Sequence, residues 1–333
     1  MVLDEYLKEI SAGKAREIGR DSRVLRKTLL EILAIVSPPP MRNAGLEAIF
    51  SVSTALAFTI WQHLGAMEWL SGSAEWLAEN PKLWAKLLKG AEPVGLAVTH
   101  LANPERPQVF AQADGKGGFA LSGTFPWVTG HGIFSRLIVG FQHGEEAVFA
   151  LVDFPSPKNL PHGVRVEIEP VALGCLQGTA TVKIHLENWN VRAPQIFGRR
   201  ALRSQAAKRP TIYVFPELGI AQAALSECER ILATRTGLSP EDLESRSGPV
   251  RRLHLRVRDL RAAAARGVPT DAEFVLRDEC IRDAVRLLAL TSGGGALVRE
   301  SLAFRLQQEV LLLDAVIQPA AVRALKLRGI AGD

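Results

Sequence analysis

The spacing of apolar residues changes twice along this chain, and that double change restricts the fold more than any other feature. Up to about residue 92 the apolar side chains recur at helical spacing, as Leu25, Leu29, Ile32, Leu33 and Val36, then Trp69, Trp76, Leu77, Trp84, Leu87 and Leu88. From there the repeat shortens to every second residue, in strand-like runs at 95–99, 119–122, 137–140, 148–152, 164–168 and 181–186. Glycine and proline clusters at 115–118, 130–132 and 155–157 punctuate those runs as turns. Helical spacing returns after Pro210, over 213–234, 248–266, 271–290 and 300–328. Strands and helices alternate throughout a doubly wound sheet, so this order excludes one. It predicts an α+β multidomain chain with an N-terminal helical domain at 1–93, a central β domain at 94–198 and a C-terminal helical domain at 199–333. Prolines set some of the boundaries, because they supply no backbone donor to a helix. The run at 38–40 stops one helix, Asn80-Pro81 marks a cap and restart, and Pro319 breaks or kinks the last helix.

With 333 residues, 47% of them hydrophobic and 23% charged, the chain can bury a large core and is neither disordered nor fibrous. Cys175, Cys228 and Cys280 stand far apart with no C-x-x-C, which excludes a disulfide framework and a thiolate zinc site. No metal site is predicted, and a reducing, cytoplasmic location is expected. Residues 1–20 carry Asp4, Glu5, Lys8 and Glu9 in place of a signal peptide's apolar stretch, and no apolar run is long enough to cross a bilayer. The net charge of +5 concentrates around 199–209 and 251–261. A basic surplus suits a polyanion, but solvated helix faces explain it equally, and nucleic acid binding through Arg251, Arg252, Arg256, Arg258 and Arg261 would rest on charge alone.

Several motifs stand in a definite order. The run Gly118-Phe-Ala-Leu-Ser-Gly-Thr-Phe-Pro-Trp-Val-Thr-Gly130 resembles the strand-turn signature G-x-x-L-x-G-x-K-x-W-I-T-N of the acyl-CoA dehydrogenase superfamily. Before it, Gly95-Leu-Ala-Val-Thr99 looks like that family's strand ending in Thr-Glu-Pro. After it, residues 173–181 look like the L-G-x-R-x-S-x-T turn, and Val191-Arg-Ala-Pro194 with Gly198 is similar to the family's exit from the β domain. Leu218-Gly-Ile-Ala-Gln-Ala-Ala-Leu225 with Arg235 resembles the central helix, and Ser292-Gly-Gly-Gly-Ala-Leu297 resembles the G-G-x-G loop. The resemblance spans nearly the whole chain. It implies a central β barrel or sandwich followed by a C-terminal four-helix bundle, and a homodimer or homotetramer.

It also implies a flavin, FAD or alternatively FMN. An isoalloxazine ring needs an aromatic neighbour and short donors at its edge, which Trp127, Thr129 and Thr99 would supply. The same residues also suit a plain strand end. Arg235 would contact the cofactor pyrophosphate across a subunit interface, or simply cap a helix. Leu238 replaces the phenylalanine usual three residues later. Gly293 and Gly294 would let backbone approach the cofactor, or merely join two helices.

The family's catalytic glutamate is missing. Its position falls on Ile317, and the alternative position of some relatives falls near Arg209. Glu217 is the candidate for a relocated base, although a glutamate there also suits the helix dipole. His100, which follows Thr99 where the family has Glu, and His63 are candidate acid/base imidazoles. Asp314 is a further carboxylate in the last helical region. The implied activity is a flavin-dependent oxidoreductase of the acyl-CoA dehydrogenase type, acting on a small organic molecule or an acyl thioester carried by CoA or a carrier protein. Two alternatives are a monooxygenase using reduced flavin and dioxygen, which needs no α-proton base, and a non-catalytic flavoprotein or scaffold.

Overall fold

The computed structural model describes residues 2–36, 43–102, 105–202, 214–237, 239–267, 269–315 and 320–331. Before the first strand the described helices are α1 (Leu3–Glu9), α2 (Ala12–Arg20), α3 (Ser22–Val36), α4 (Asn43–Val52), α5 (Thr54–Ser71), α6 (Ala74–Glu79) and α7 (Pro81–Leu88). The strands are β1 (Val94–Ala97), β2 (Val109–Ala113), β3 (Phe119–Val128), β4 (Arg136–His143), β5 (Glu146–Asp153), β6 (Arg165–Pro170), β7 (Val182–Val191) and β8 (Ile196–Ala201). Helices resume with α8 (Leu218–Thr234), α9 (Pro240–Ala265), α10 (Asp271–Ser292), α11 (Leu302–Glu309), α12 (Leu311–Ala315) and α13 (Ala320–Ala331).

Several elements differ from the sequence expectation, among them the last helical region, which is already interrupted between Glu309 and Leu311. α9 begins at Pro240 and runs through Pro249, eight residues before the expected start at 248. Pro240 occupies the first turn, where its missing donor costs nothing, and the Ser239 side chain accepts the Asp242 N–H as a cap. The strands β2 and β8 carry no clean apolar alternation, because most of their residues are solvent-exposed or half-buried. The helix break expected at Pro319 and the run of prolines at 38–40 lie outside the described residues.

The chain divides into two compact units, one of residues 1–3, 17–41 and 58–208, the other of residues 4–16, 42–57 and 209–333. The first holds an eight-stranded mixed sheet in the order β6-β7-β3-β2-β4-β5-β8, with β1 parallel to the first half of β4. β4 and β5 read as nearly continuous apolar runs because both their faces are covered. Leu137, Val139, Phe141, Val148, Ala150 and Val152 pack with side chains of β3 and β7. Ile138 and Leu151 on the opposite face pack with Ala66 and Leu70 of α5, Trp76 and Leu87.

In the second unit α8, α9, α10 and α11 form the C-terminal bundle, and α4 packs along α8. Gly219 sets that last contact, since a Cβ there would lie 2.0 Å from the Glu47 carbonyl and 2.8 Å from Phe50 Cβ. Only glycine lets the two helix backbones approach so closely.

Candidate functional site

The end of β3 departs from regular strand geometry. Phe125 pairs with Ile184 and Val128 with Val182, so β3 carries one extra residue and bulges at Pro126–Trp127. Proline suits a bulge because it has no ladder donor to lose there. The irregularity turns the Trp127 indole outward, leaving it 53% exposed while Phe125 and Val128 stay in the core. Gly130 then turns the chain at φ +92, and the Phe134 ring fills the space where a Cβ on Gly130 or Gly95 would sit, 2.1 and 2.4 Å from Phe134 Cδ2. One ring thus explains two of the motif glycines.

Beside Trp127, Thr129 is buried and its Oγ1 lies 3.5 Å from Thr181 Oγ1, which in turn lies 3.0 Å from Thr179 Oγ1. The Gly130 and His131 N–H groups donate to the Thr179 and Ala180 carbonyls at 2.8 and 3.1 Å, clamping the β3 exit onto that turn. Leu176 and Ala180 flank it in the left-handed region at φ 59 and 45, a conformation that costs about 1 to 3 kcal/mol per residue without glycine. Gly178, between them, presses on the end of α2, where a Cβ would meet the Ile18 carbonyl at 2.1 Å.

Thr99 opens a 3-10 turn after β1 with its side chain exposed, while His100 is buried against Phe125 at a ring separation of 5.2 Å. Phe125 therefore ties the Thr99 turn to the strand that carries Trp127. His100 Nε2 has no hydrogen-bond partner, and burial holds the imidazole pKa down to about 4. His63 is likewise buried, accepts the Val94 N–H at Nδ1 at 3.1 Å, and is held down to about 4 by burial. It anchors the start of β1.

In the second unit Arg235 ends α8, and its Nη2 donates to the Thr291 carbonyl at 2.6 Å. That contact fixes the guanidinium beside the loop that begins with Gly293, at φ 58. A Cβ on Gly293, Gly294 or Gly295 would meet nothing within 4 Å, so packing within the chain does not require those glycines.

No protein-family model matches the chain, and no curated protein sequence matches it. Solved structures do. Butyryl-CoA dehydrogenase from Megasphaera elsdenii superposes with a TM-score of 0.75 at 12% identity, over 99% of this chain and 95% of that one. An FAD complex of PigA gives 0.74 at 16%, over 99% and 94%. Nitrososynthase from Micromonospora carbonacea var. africana gives 0.72 at 17%, also over 99% and 94%. The chain has the acyl-CoA dehydrogenase fold.

Within this acyl-CoA dehydrogenase fold the candidate bases have distinct settings. Ile317 and Arg209 lie outside the described residues. Glu217, just before α8, is fully buried, and its Oε1 accepts from Arg277 Nη1 at 2.9 Å. Arg277 Nε donates to Asp278 at 2.7 Å, and the guanidinium lies 5.4 and 5.1 Å from the ring centroids of Phe215 and Phe274. Lys326 pairs with Asp278, and Arg282 with Asp314. Asp314 thus has cationic partners too. Sequence reasoning overlooked Arg277, although it occupies the buried stripe of α10 with Ile281, Ala284 and Leu288, where an arginine must have partners.

It also overlooked Glu309, which is buried, accepts from Thr54 Oγ1 at 2.7 Å and has its pKa pushed up by burial. The basic cluster of α9 is largely neutralised, since Arg251 pairs with Glu244, Arg256 with Asp283, Arg258 with Asp259 and Arg261 with Glu47. Among the described residues no group of His, Cys, Asp or Glu could hold a metal ion, and no helix is long and apolar enough to cross a membrane.

Proposed function

We propose that this chain is a flavin-dependent oxidoreductase that binds FAD, or alternatively FMN, and acts on a small organic substrate, free or as an acyl thioester. The observation that carries the reading is Trp127, an indole lifted out of the sheet by a bulge and followed two residues later by a threonine hydroxyl. A bare aromatic face beside hydroxyl groups suits a flat, partly polar ring system. The FAD complex of PigA, a structure of the same fold, supports the choice of ring. When bound, the flavin supplies a reversible two-electron acceptor.

Trp127 would shield one surface of the ring from water, and Thr129 would present its hydroxyl to the ring edge while Thr181 and Thr179 hold that hydroxyl's orientation. Arg235, fixed by Thr291, would neutralise the phosphates of a flavin held by a neighbouring copy, with Gly293 and Gly294 leaving room for them. We infer that oxygenation with reduced flavin and dioxygen is the better supported chemistry. Thioester dehydrogenation requires a base for an α-proton, and Glu217 is committed to Arg277 while position 317 is isoleucine. The second reading is dehydrogenation with His100 as base. Its support is the unpartnered Nε2 on an imidazole that stays neutral, the form able to accept a proton.

Titration with FAD and with FMN, followed by visible absorbance and tryptophan fluorescence, tests the reading. A yellow complex with quenched fluorescence is expected, with affinity reduced about tenfold or more in Trp127→Ala. Absence of a flavin spectrum with either cofactor would overturn the enzymatic proposals and leave the scaffold reading. Bleaching of the complex by butyryl-CoA without air would favour dehydrogenation, and loss of that bleaching in His100→Gln would assign the base.

A further inference from the structure

A cavity of about 350 Å³ opens where three helices of the second unit meet, at the start of α4, the entry to α8 and the end of α9. Neither the flavin reading nor any motif of the sequence uses it. Val214, Phe215 and Leu218 form its apolar wall, and the single methyl groups of Ala44, Ala264 and Ala265 leave the space open. The wall is fixed in advance. Phe215 is held at φ 58, a strained setting for a residue with a Cβ, and its ring stands edge-on to Phe274 at 5.1 Å and 5.4 Å from the Arg277 guanidinium. Asn43 Nδ2 donates to the Val214 carbonyl at 2.8 Å and fastens α4 to the same wall.

Two charged side chains, Glu47 and Arg261, also line the cavity. Glu47 Oε1 accepts from Arg261 Nε at 2.8 Å and from Nη2, which also reaches Gln222 Oε1 at 3.2 Å. These bonds use one carboxylate oxygen and one edge of the guanidinium. Among the described residues nothing bonds to Glu47 Oε2 or to Arg261 Nη1, so one ion pair keeps a free acceptor and a free donor.

We propose that this cavity binds a small neutral molecule with an apolar body and a primary carboxamide head. The amide N–H donates to Glu47 Oε2, its carbonyl accepts from Arg261 Nη1, and the body lies against Phe215 and Leu218. Opposite charges already balance within the pair. A lone carboxylate therefore meets the charge of Glu47, and a lone ammonium meets that of Arg261, so the head is selected for neutrality as well as for its donor and acceptor. A mostly apolar cavity with a few placed polar groups is the usual form of a small-molecule site. An engineered cavity of about 150 Å³ holds benzene, so this one has room for a ring and its head group. A ligand of so few atoms binds with a dissociation constant of about a millimolar. The proposal stands independently of the flavin reading.

Ligand-detected NMR titrations of the full chain with benzamide, benzoate and benzylamine test it, since the three share a ring and differ in the charge of the head. Benzamide should saturate, and the two ions should bind about tenfold more weakly or worse. Glu47→Gln turns the free acceptor into an N–H donor and leaves Arg261 without its counter-charge. Its order should invert, with benzoate ahead of benzamide. A loss of structure would lower all three together, so that inversion has no explanation in stability alone. Ala264→Phe fills the space and should weaken benzamide about tenfold or more. Matched circular dichroism melts show that the variants are folded. Four results would each overturn the proposal: benzamide that does not saturate, equal binding of the three probes, wild-type affinity in folded Ala264→Phe, or the wild-type order in folded Glu47→Gln.

Discussion

Glu217 Oε1 accepts a hydrogen bond from Arg277 Nη1 at 2.9 Å, with both side chains closed to water. The two residues stand sixty positions apart, one at the start of α8 and the other inside α10. The pair therefore fastens the head of one bundle helix to the middle of another, and Asp278 with Lys326 extends the chain of charges to α13. Phe215, held at φ 58 just before α8, lays its ring beside the guanidinium. Glu217 thus meets a buried cation at Oε1, while its Oε2 is buried with no hydrogen-bond partner.

Breaking this pair from the arginine side should be costly. Arg277→Met leaves Glu217 and Asp278 buried without their shared cation, and the expected loss is about 3 to 5 kcal/mol in urea unfolding. Glu217→Gln keeps an acceptor for Nη1 and should cost less, about 1 to 2 kcal/mol. If Arg277→Met unfolded at the wild-type urea midpoint, the network would have no structural weight.

Two glycines should respond in opposite ways to the same substitution. Gly219→Ala drives a methyl into the Glu47 carbonyl, and the separation of α4 from α8 should cost about 1 to 3 kcal/mol or more in thermal or urea unfolding. Gly294→Ala meets open space at an ordinary φ and should unfold within about 0.5 kcal/mol of the wild type, while weakening FAD binding if backbone there approaches the cofactor. Equal FAD affinity in Gly294→Ala and the wild type would remove the loop from the cofactor site.

Acid should weaken the sheet unit through its buried imidazoles. His63 titrates near 4 in the folded chain, below the ordinary 6.5, so the unfolded chain binds the extra proton first. The stability it contributes is complete above pH 6.5 and is lost progressively as the pH falls toward 4, by about 3 kcal/mol in all. His100 has the same sign for the same reason. His63→Gln keeps an acceptor for the Val94 N–H without the titration, and its melting temperature should depend less on pH over that window. A slope identical to the wild type would exclude His63 as its source.

Glu309 should act in the opposite direction. Burial raises its pKa, so the folded chain holds the proton more tightly than the unfolded chain. Stability from this site is complete below the ordinary carboxylate range and falls as the pH rises through the raised folded value. Glu309→Gln, which still accepts from Thr54, should therefore gain stability over the wild type from pH 4.5 toward neutrality. Denaturant melts at three pH values measure it, and a gap independent of pH would contradict the assignment.

The periodicity of the sequence determined the order of the layers, helices, then sheet, then helices, because a side chain's repeat of 3.6 or 2 follows from local backbone geometry alone. The motifs likewise marked Gly95, Trp127, Gly130, Gly219 and Arg235 as residues of interest. Their reasons lay elsewhere in the chain. Gly95 and Gly130 answer to the ring of Phe134, Gly219 to the carbonyl of Glu47, and Arg235 to that of Thr291. The weakly alternating β2 and β8 were illegible because strands with much of their surface open to water need no apolar repeat. Tertiary structure alone decided the neighbour of Glu217. Whether a carboxylate is a free base or half of a sealed ion pair depends on which distant cation the fold brings within 3 Å, and no local pattern encodes that distance.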